Sequence, residues 1–230
     1  LVRPLECSVP YGVRLARHMS DEQYFTNQPR TGSTAGTSKQ KTAQLHVDDK
    51  ILQVVLDSGV FARKGIDAGT MVLIDAAARP PAMGNFLDLG CGSGAIALTL
   101  AARSPKATVY AIDVNERAIA LTTSNAKANN LSNITVLLPT SVPQDLRFDL
   151  IWSNPPIRIG KNELHALLQL WLSKLTETGE AWLVVNRNLG SDSLAVWLTS
   201  IGYQVDRLVS KQGYRVLRVR PTRVADQSGF

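Results

Sequence analysis

From residue 85 onward the chain alternates short apolar runs with longer segments of helix formers, and no other feature restricts its fold as much. Residues 86–89, 108–112, 134–138, 148–152 and 181–185 have the length and residue types of buried strands. Residues 95–103, 116–129 and 163–175 lie between them and read as helices. A further helix over 193–201 is closed by Gly202, well placed to end it. Residues 203–209 and 214–220 are two last strands, too close together for the dozen or more residues of a crossover, so they must pair antiparallel. The pattern predicts an α/β fold: a doubly wound, mostly parallel seven-stranded sheet with an antiparallel C-terminal hairpin. Sheets of this type bind ligands beyond the carboxyl ends of their strands, where the strand order reverses. The loops after Leu89, Ile112, Leu138 and Trp152 are therefore the ones to inspect.

The N-terminal part is read differently. Residues 1–45 form an extension in which 31–43, small, polar and basic, reads as a flexible loop. Residues 45–47 and 51–56 flank Asp48-Asp49-Lys50 like the arms of a β-hairpin, and Asp67 can cap a helix carrying Met71, Val72, Leu73 and Ile74. This gives a hairpin and helix over 46–80, a sheet core over 85–221 and a tail over 222–230. A chain of 230 residues with 44% hydrophobic residues can build such a core without disulfides or metals. Cys7 and Cys91 are far apart, and His18, His46 and His165 do not cluster, so no metal site is expected and the natural setting is a reducing cytoplasm. No apolar run approaches the roughly 20 residues that span a bilayer, and no charged-then-apolar leader opens the sequence, so no membrane association is expected.

The net charge of +6 is compatible with a polyanionic partner. Arg207, Lys211, Arg215, Arg218, Arg220 and Arg223 form a basic run with only Asp206 beside them, and Arg218 and Arg220 share one strand face. The plainer explanation of this run is a charged edge that resists aggregation.

The first of the four loops reads Asp88-Leu89-Gly90-Cys91-Gly92-Ser93-Gly94-Ala95, between a strand and a helix. Its glycines allow a ligand close to the backbone. Gly90-x-Gly92-x-x-Ala95 loosely matches a dinucleotide fingerprint, with Asp113 near the position of the ribose-binding acid, so the loop alone does not separate NAD from S-adenosylmethionine. Asp88 favours the latter: a carboxylate repels a pyrophosphate but attracts a sulfonium and an ammonium. Asp113 can accept from ribose hydroxyls in either ligand. Simple turn capping is the alternative for both acids.

The fourth loop, Ser153-Asn154-Pro155-Pro156-Ile157, is the sharpest signal. Two prolines stiffen it and push the residue before each into an extended conformation. It then presents two acceptors, the Asn154 side-chain carbonyl and the Pro155 backbone carbonyl. An amine on an aromatic ring is a poor nucleophile because its lone pair is delocalised. Two acceptors on its N–H groups can draw it towards tetrahedral geometry and aim the lone pair at a methyl donor. Alone, Asn-Pro-Pro is as readily an ordinary strand-ending turn. Its position on the same sheet rim as the glycine loop favours chemistry.

In these residues the chain resembles the class I S-adenosylmethionine-dependent methyltransferases that modify amines. It resembles more narrowly the short, single-domain type of the small-subunit ribosomal RNA guanine-N2 methyltransferase family. The narrower likeness rests on Asp57-Ser58-Gly59-Val60-Phe61-Ala62-Arg63, Asp67-Ala68-Gly69-Thr70, the Asp88 loop, Asn154-Pro155-Pro156-Ile157-Arg158 and Gly160-Lys161, with Tyr24-Phe25-Thr26 upstream. The resemblance implies a methyltransferase domain over 46–221. In it Asp88, Gly90, Cys91 and Gly92 hold the methionine portion, Asp113 and Val114 the ribose side, and Thr140 or Ser141 approach the adenine. It also implies that Asn154 to Ile157 receive the target base, with Phe61 and Thr70 lining the cleft. Ile157 departs from the family, which often carries an aromatic there to stack on the base. The implied partner is ribosomal RNA or a ribosomal subunit, met through residues 1–45 and basic groups such as Arg63, Lys64, Arg158 and Lys161. Adenine-N6 or protein glutamine methylation, an NAD-dependent oxidoreductase and a non-enzymatic RNA-binding assembly factor are the rival readings.

Overall fold

A computed structural model of the chain describes residues 40–57, 60, 65–156 and 159–222. Two strands, β1 (Gln40–Val47) and β2 (Lys50–Asp57), form an antiparallel hairpin that pairs Val47 with Lys50 across Asp48 and Asp49. Asp48 adopts a positive φ of 53°, which aspartate tolerates better than most side chains in so tight a turn. Period-two alternation turns Leu45, Val47, Leu52, Val54 and Leu56 inward. The strand β1 starts inside the segment read as a flexible loop: threonine and lysine at its start offer no apolar signal, and pairing with β2 supplies the order.

The helix α1 (Ala68–Ala76) follows, capped by Asp67, whose side chain accepts from the N–H groups of Gly69 and Thr70. Then come β3 (Asn85–Leu89), α2 (Ala95–Arg103), β4 (Thr108–Ile112), α3 (Glu116–Ala128) and β5 (Ile134–Leu137). The chain returns through β6 (Phe148–Ser153), α4 (Lys161–Leu172), β7 (Leu175–Asn186), α5 (Ser191–Ser200), β8 (Tyr203–Lys211) and β9 (Tyr214–Pro221). The large sheet has the order β5-β4-β3-β6-β7-β9-β8. Its first five strands are mutually parallel, while β9 runs antiparallel to both β7 and β8. The order reverses at β3, whose neighbours are β4 and β6, and this is the expected seven-stranded, doubly wound topology.

Both faces of the sheet are covered, so its parallel strands are apolar on both sides. Phe86, Leu150 and Trp152 pack into a layer with α1, α2 and the β1–β2 hairpin. Leu87, Leu89 and Ile151 face the opposite layer with α4 and α5.

The junction of α4 and β7 also differs from the sequence reading. The helix α4 ends at Leu172, where Ser173 turns its hydroxyl back to the Leu170 carbonyl, and β7 starts at Leu175 rather than at residue 181. Leu175 pairs with Phe148, and an irregularity then separates this pair from Leu150 and Glu180. Gly179 lies so near the Phe148 carbonyl that a Cβ there would stand 2.8 Å from its oxygen. Sheet pairing thus overrides the weak strand character of Thr176-Glu177-Thr178-Gly179.

The hairpin is joined to α3 by two asparagines. Asn125 accepts from the Val55 N–H (2.9 Å) and donates to the Val55 carbonyl (2.9 Å). Asn129 does the same to Gln53, at 2.8 and 2.7 Å. Asn125 also donates to the Ser93 carbonyl at 2.9 Å, so one buried amide links the hairpin, α3 and the glycine turn.

The basic run on β8 and β9 is partly paired, five cations sharing three carboxylates. Arg218 and Arg220 both reach Asp206 Oδ2 at 2.8 Å, which holds the Asp206 carboxyl below its usual range through the Arg218 hydrogen bond first. Arg207 and Arg215 both pair with Asp192, and Lys211 with Asp75. Arg223 lies outside the described residues.

Candidate active site

A cavity of about 760 Å³ opens beyond the carboxyl ends of β3, β4 and β6. Its floor is the glycine turn after β3, with Gly90, Cys91 and Gly92, and the start of the β4 loop, Asp113 and Val114. Asn154, Pro155 and Pro156 after β6 form one side, facing Asp67 and Thr70 from α1. Leu167, Leu170 and Trp171 of α4, with Ile159 and Leu189, give an apolar wall.

Four backbone N–H groups of the glycine turn are already engaged. The N–H groups of Gly90 and Cys91 go to the Ile112 carbonyl at 2.8 and 3.0 Å. The Gly92 N–H goes to Asp113 Oδ2 at 2.9 Å and the Gly94 N–H to the Cys91 carbonyl at 2.7 Å. A pyrophosphate cradle needs such N–H groups free and pointing at the anion. With these engaged and Asp113 lining the cavity, the turn suits a ligand bearing positive charge and hydroxyls better than a dinucleotide. Asp113 Oδ1 accepts from the Asn115 N–H at 2.9 Å, and burial raises the Asp113 carboxyl above its usual range. Each of its oxygens keeps a further lone pair for a hydroxyl donor.

Asp88 is not where the sequence argument puts it. It is fully buried, does not line the cavity, and accepts the Ala97 N–H on Oδ2 at 2.9 Å. Strand alternation explains this, because Asp88 shares a face with Phe86 and is carried under the first turn of α2 rather than out to the strand tip. Burial pushes its carboxyl up to about 8, with the charge of Asp113 adding to the rise. Its Oδ1 is buried with no partner. Thr140 and Ser141 also miss the cavity: they are exposed in a single 3-10 turn, Pro139–Ser141, and Pro139 lines the site instead.

The Asn-Pro-Pro elbow is set by β6. The Ser153 hydroxyl donates to the Leu89 carbonyl at 2.7 Å, tying the end of β6 to that of β3. Asn154, the next residue, is half-buried on the cavity side. Its Nδ2 donates to Asp67 Oδ1 at 2.7 Å and to the Thr70 hydroxyl oxygen at 3.1 Å. Ile157, with Phe61, Arg63, Lys64, Arg158 and the Tyr24-Phe25-Thr26 segment, lies outside the described residues.

The structure therefore gathers Thr70, Gly90, Cys91, Gly92, Asp113, Val114, Asn154, Pro155 and Pro156 around one cavity. Sequence reasoning missed the Asp67–Asn154 contact, which joins residues far apart in the chain, and it missed Tyr214 and Asn186, which line the cavity from the antiparallel pair β7 and β9. Gly69 gives room for that tyrosine: a Cβ there would stand 2.8 Å from its ring. Among the described residues no group of three or more His, Cys, Asp or Glu side chains could hold a metal ion, and no helix is long and apolar enough to cross a membrane.

The family model of the methyltransferase small domain matches residues 51–218. The chain belongs to this family. It is a member of the class I S-adenosylmethionine-dependent methyltransferases, and its sheet order, glycine turn and Asn-Pro-Pro elbow are parts of one enzyme domain. Among its relatives is YbxB of Bacillus subtilis (strain 168), an uncharacterised protein 33% identical over 86% of this chain and 98% of its own length. The ribosomal RNA small subunit methyltransferase C of Erwinia tasmaniensis is 37% identical over 56% of this chain, and that of Psychromonas ingrahamii 30% identical over 78%. The match spans only 38% and 52% of those two methyltransferases. A similar fold is found in the T. thermophilus 16S rRNA N2 G1207 methyltransferase (RsmC), solved with AdoMet and guanosine. Its TM-score is 0.63 at 22% identity, covering 80% of this chain and 51% of that one.

Proposed function

We infer that this methyltransferase acts on the exocyclic amine of an RNA base, guanine N2 in small-subunit ribosomal RNA. The observation that carries the reading is the orientation of Asn154: both protons of its Nδ2 are taken by Asp67 and Thr70, which leaves Oδ1 as the group free to meet an amine. The relatives that share the domain and are named for ribosomal RNA support the choice of substrate.

The cavity fits S-adenosylmethionine. Its volume lies in the range of about 300–1,000 Å³ usual for small-molecule sites. Gly90, Cys91 and Gly92 would border the methionine portion with Thr70 beside it, Asp113 would accept from the ribose hydroxyls, and Val114 and Pro139 would flank the adenine. Bound there, S-adenosylmethionine supplies a methyl group on a positively charged sulfur that leaves as a neutral thioether. The protein's own part is to hold the amine. Asn154 Oδ1 and the Pro155 carbonyl each accept one N–H, which localises the nitrogen lone pair and points it away from the ring plane. Holding two reactants in line can contribute about 7–11 kcal/mol in the best intramolecular models. The nitrogen becomes acidic only once the methyl has arrived and then releases one proton to solvent, so no strong base is needed at the elbow. Pro156 and Ile157 would give apolar contact to a base extruded from its stack, at a cost of a few kcal/mol.

The same reading has the enzyme working in the cytoplasm on ribosomal RNA or a ribosomal subunit. Mass spectrometry of ribosomal RNA nucleosides from cells with and without the protein tests it. Loss of an N2-methylguanosine supports the proposal. Loss of N6-methyladenosine, or an unchanged RNA with an undermethylated protein glutamine, would replace it.

A further inference from the structure

We propose that Asp67 is a positioning residue for methyl transfer, a latch that sets the Asn154 amide with its carbonyl towards the acceptor amine. The proposal rests on the reading of Asn154 given above and names the group that makes that reading work.

An asparagine amide can sit in either of two flipped states that differ little in shape, with oxygen and nitrogen exchanged. Only one of them puts an acceptor at the reacting amine. The flipped state would offer Nδ2, a donor, to an amine that must itself donate. Asp67 Oδ1 decides between them. It accepts the Gly69 N–H at 2.8 Å, the Thr70 N–H at 3.2 Å and Asn154 Nδ2 at 2.7 Å. An oxygen that already accepts from two backbone N–H groups is an acceptor, so the flipped amide would set two acceptor oxygens against each other. The Thr70 hydroxyl oxygen takes the second Nδ2 proton at 3.1 Å. Both donors are then satisfied and Oδ1 of Asn154 remains.

The arrangement also couples the site to the fold. Asp67 is the N-cap of α1, and its two backbone bonds to Gly69 and Thr70 hold the carboxylate still. One short side chain therefore starts a helix and aligns the elbow 87 positions further along the chain.

The cap and the latch can be separated. Serine, asparagine and aspartate cap helices about equally well. Serine places its oxygen one bond short of Oδ1 and cannot reach Asn154, whereas asparagine keeps an acceptor at the same distance. Asp67→Ser should therefore keep the wild-type melting temperature and S-adenosylmethionine Kd but lose about 10²-fold in kcat, the scale of a 1 Å misplacement at a reacting centre. Asp67→Asn should stay within about threefold of wild type, as a rescue that retains the acceptor geometry. An independent readout needs no turnover. The Asn154 side-chain NH2 pair, assigned in 15N-asparagine-labelled protein by its absence from Asn154→Ala, should move towards free-amide positions in Asp67→Ser and stay in Asp67→Asn. Equal losses of kcat in Asp67→Ser and Asp67→Asn, or an unmoved NH2 pair in Asp67→Ser, would overturn the latch. Wild-type protein that methylates no RNA would sink the substrate assignment, while the NH2 signals would still judge the latch.

Discussion

The carboxylate of Asp88 accepts the Ala97 N–H at 2.9 Å beneath the glycine turn, in a place no solvent reaches. This acid is therefore a buried tie between β3 and α2. Burial lifts its carboxyl from the usual 3.8 to about 8, so the folded state holds a proton that the unfolded chain releases. A group shifted upward in this way contributes stability that is complete below its unfolded value and is lost as pH rises through its folded value. The ligand-free protein should then lose stability as pH rises from 3.8 to about 8, and this component should level off above. Asp88→Asn keeps an acceptor for Ala97 and should lack that component. Denaturant unfolding of both proteins across the range checks it, and parallel pH profiles would refute it.

Gly94 is the second support of the turn. Its φ is +83°, and a Cβ would meet Thr122 Cγ2 at 2.8 Å. Gly94→Ala combines a left-handed backbone with that clash and should cost about 1–3 kcal/mol. Gly94→Ala with Thr122→Ser, which removes the Cγ2 methyl, should recover part of the loss. Chemical denaturation of the single and double variants measures this.

Asn154→Ala removes the proposed acceptor and leaves Asp67 and Thr70 their own contacts. Loss of one transition-state hydrogen-bonding group commonly costs about 10²–10³ in kcat. The variant should fall by this much while its S-adenosylmethionine Kd changes little. Calorimetric binding and single-turnover methylation separate the two. The same calorimetry should show S-adenosylmethionine binding far more tightly than NADH, because the N–H groups of Gly90, Cys91, Gly92 and Gly94 are already engaged.

The ion pairs on β8 and β9 shift attention to basic groups nearer the cavity. Lys161 opens α4 beside Ile159 and Glu163, and Arg187 follows the cavity-lining Asn186. Replacing both with alanine should weaken RNA binding and flatten the plot of log affinity against log salt by about 0.7–0.9 for each phosphate no longer neutralised. Replacing Arg218 and Arg220, both held by Asp206, should flatten it much less. Filter binding across a salt series distinguishes the two surfaces.

How much the chain discloses by itself follows a physical line. The helix α2 and the strand β4 fall on Ala95–Arg103 and Thr108–Ile112, as read, because local signals agree there: a glycine turn, helix formers, then a β-branched run ending at Asp113. The start of β7 is not legible, since Leu175 pairs with Phe148 and Thr176 to Gly179 form an irregular stretch before Glu180 meets Leu150. The site divides similarly. The Gly90–Gly92 turn and the Asn154–Pro156 elbow are local motifs, and both reach the cavity. The motif misplaces Asp88 because it fixes the position in the chain but not the strand face it occupies. The resemblance implies Thr140 or Ser141 beside the adenine whereas Pro139 lines the cavity, because the length of the loop after β5 is not encoded in any periodicity. The partnership of Asp67 with Asn154 depends on how α1 is carried over the sheet, which no window of sequence contains.

The two asparagines that grip β2 have a consequence for how the protein keeps to itself. Four residues of helix advance about 6 Å and two residues of strand about 6.6 Å, so the ladders nearly coincide. Asn125 and Asn129, one turn apart, thereby imitate two rungs of a neighbouring strand against Val55 and Gln53. At Val55 and Gln53 the edge of β2 is occupied by side chains instead of by a third strand, and a passing chain finds those two rungs already taken.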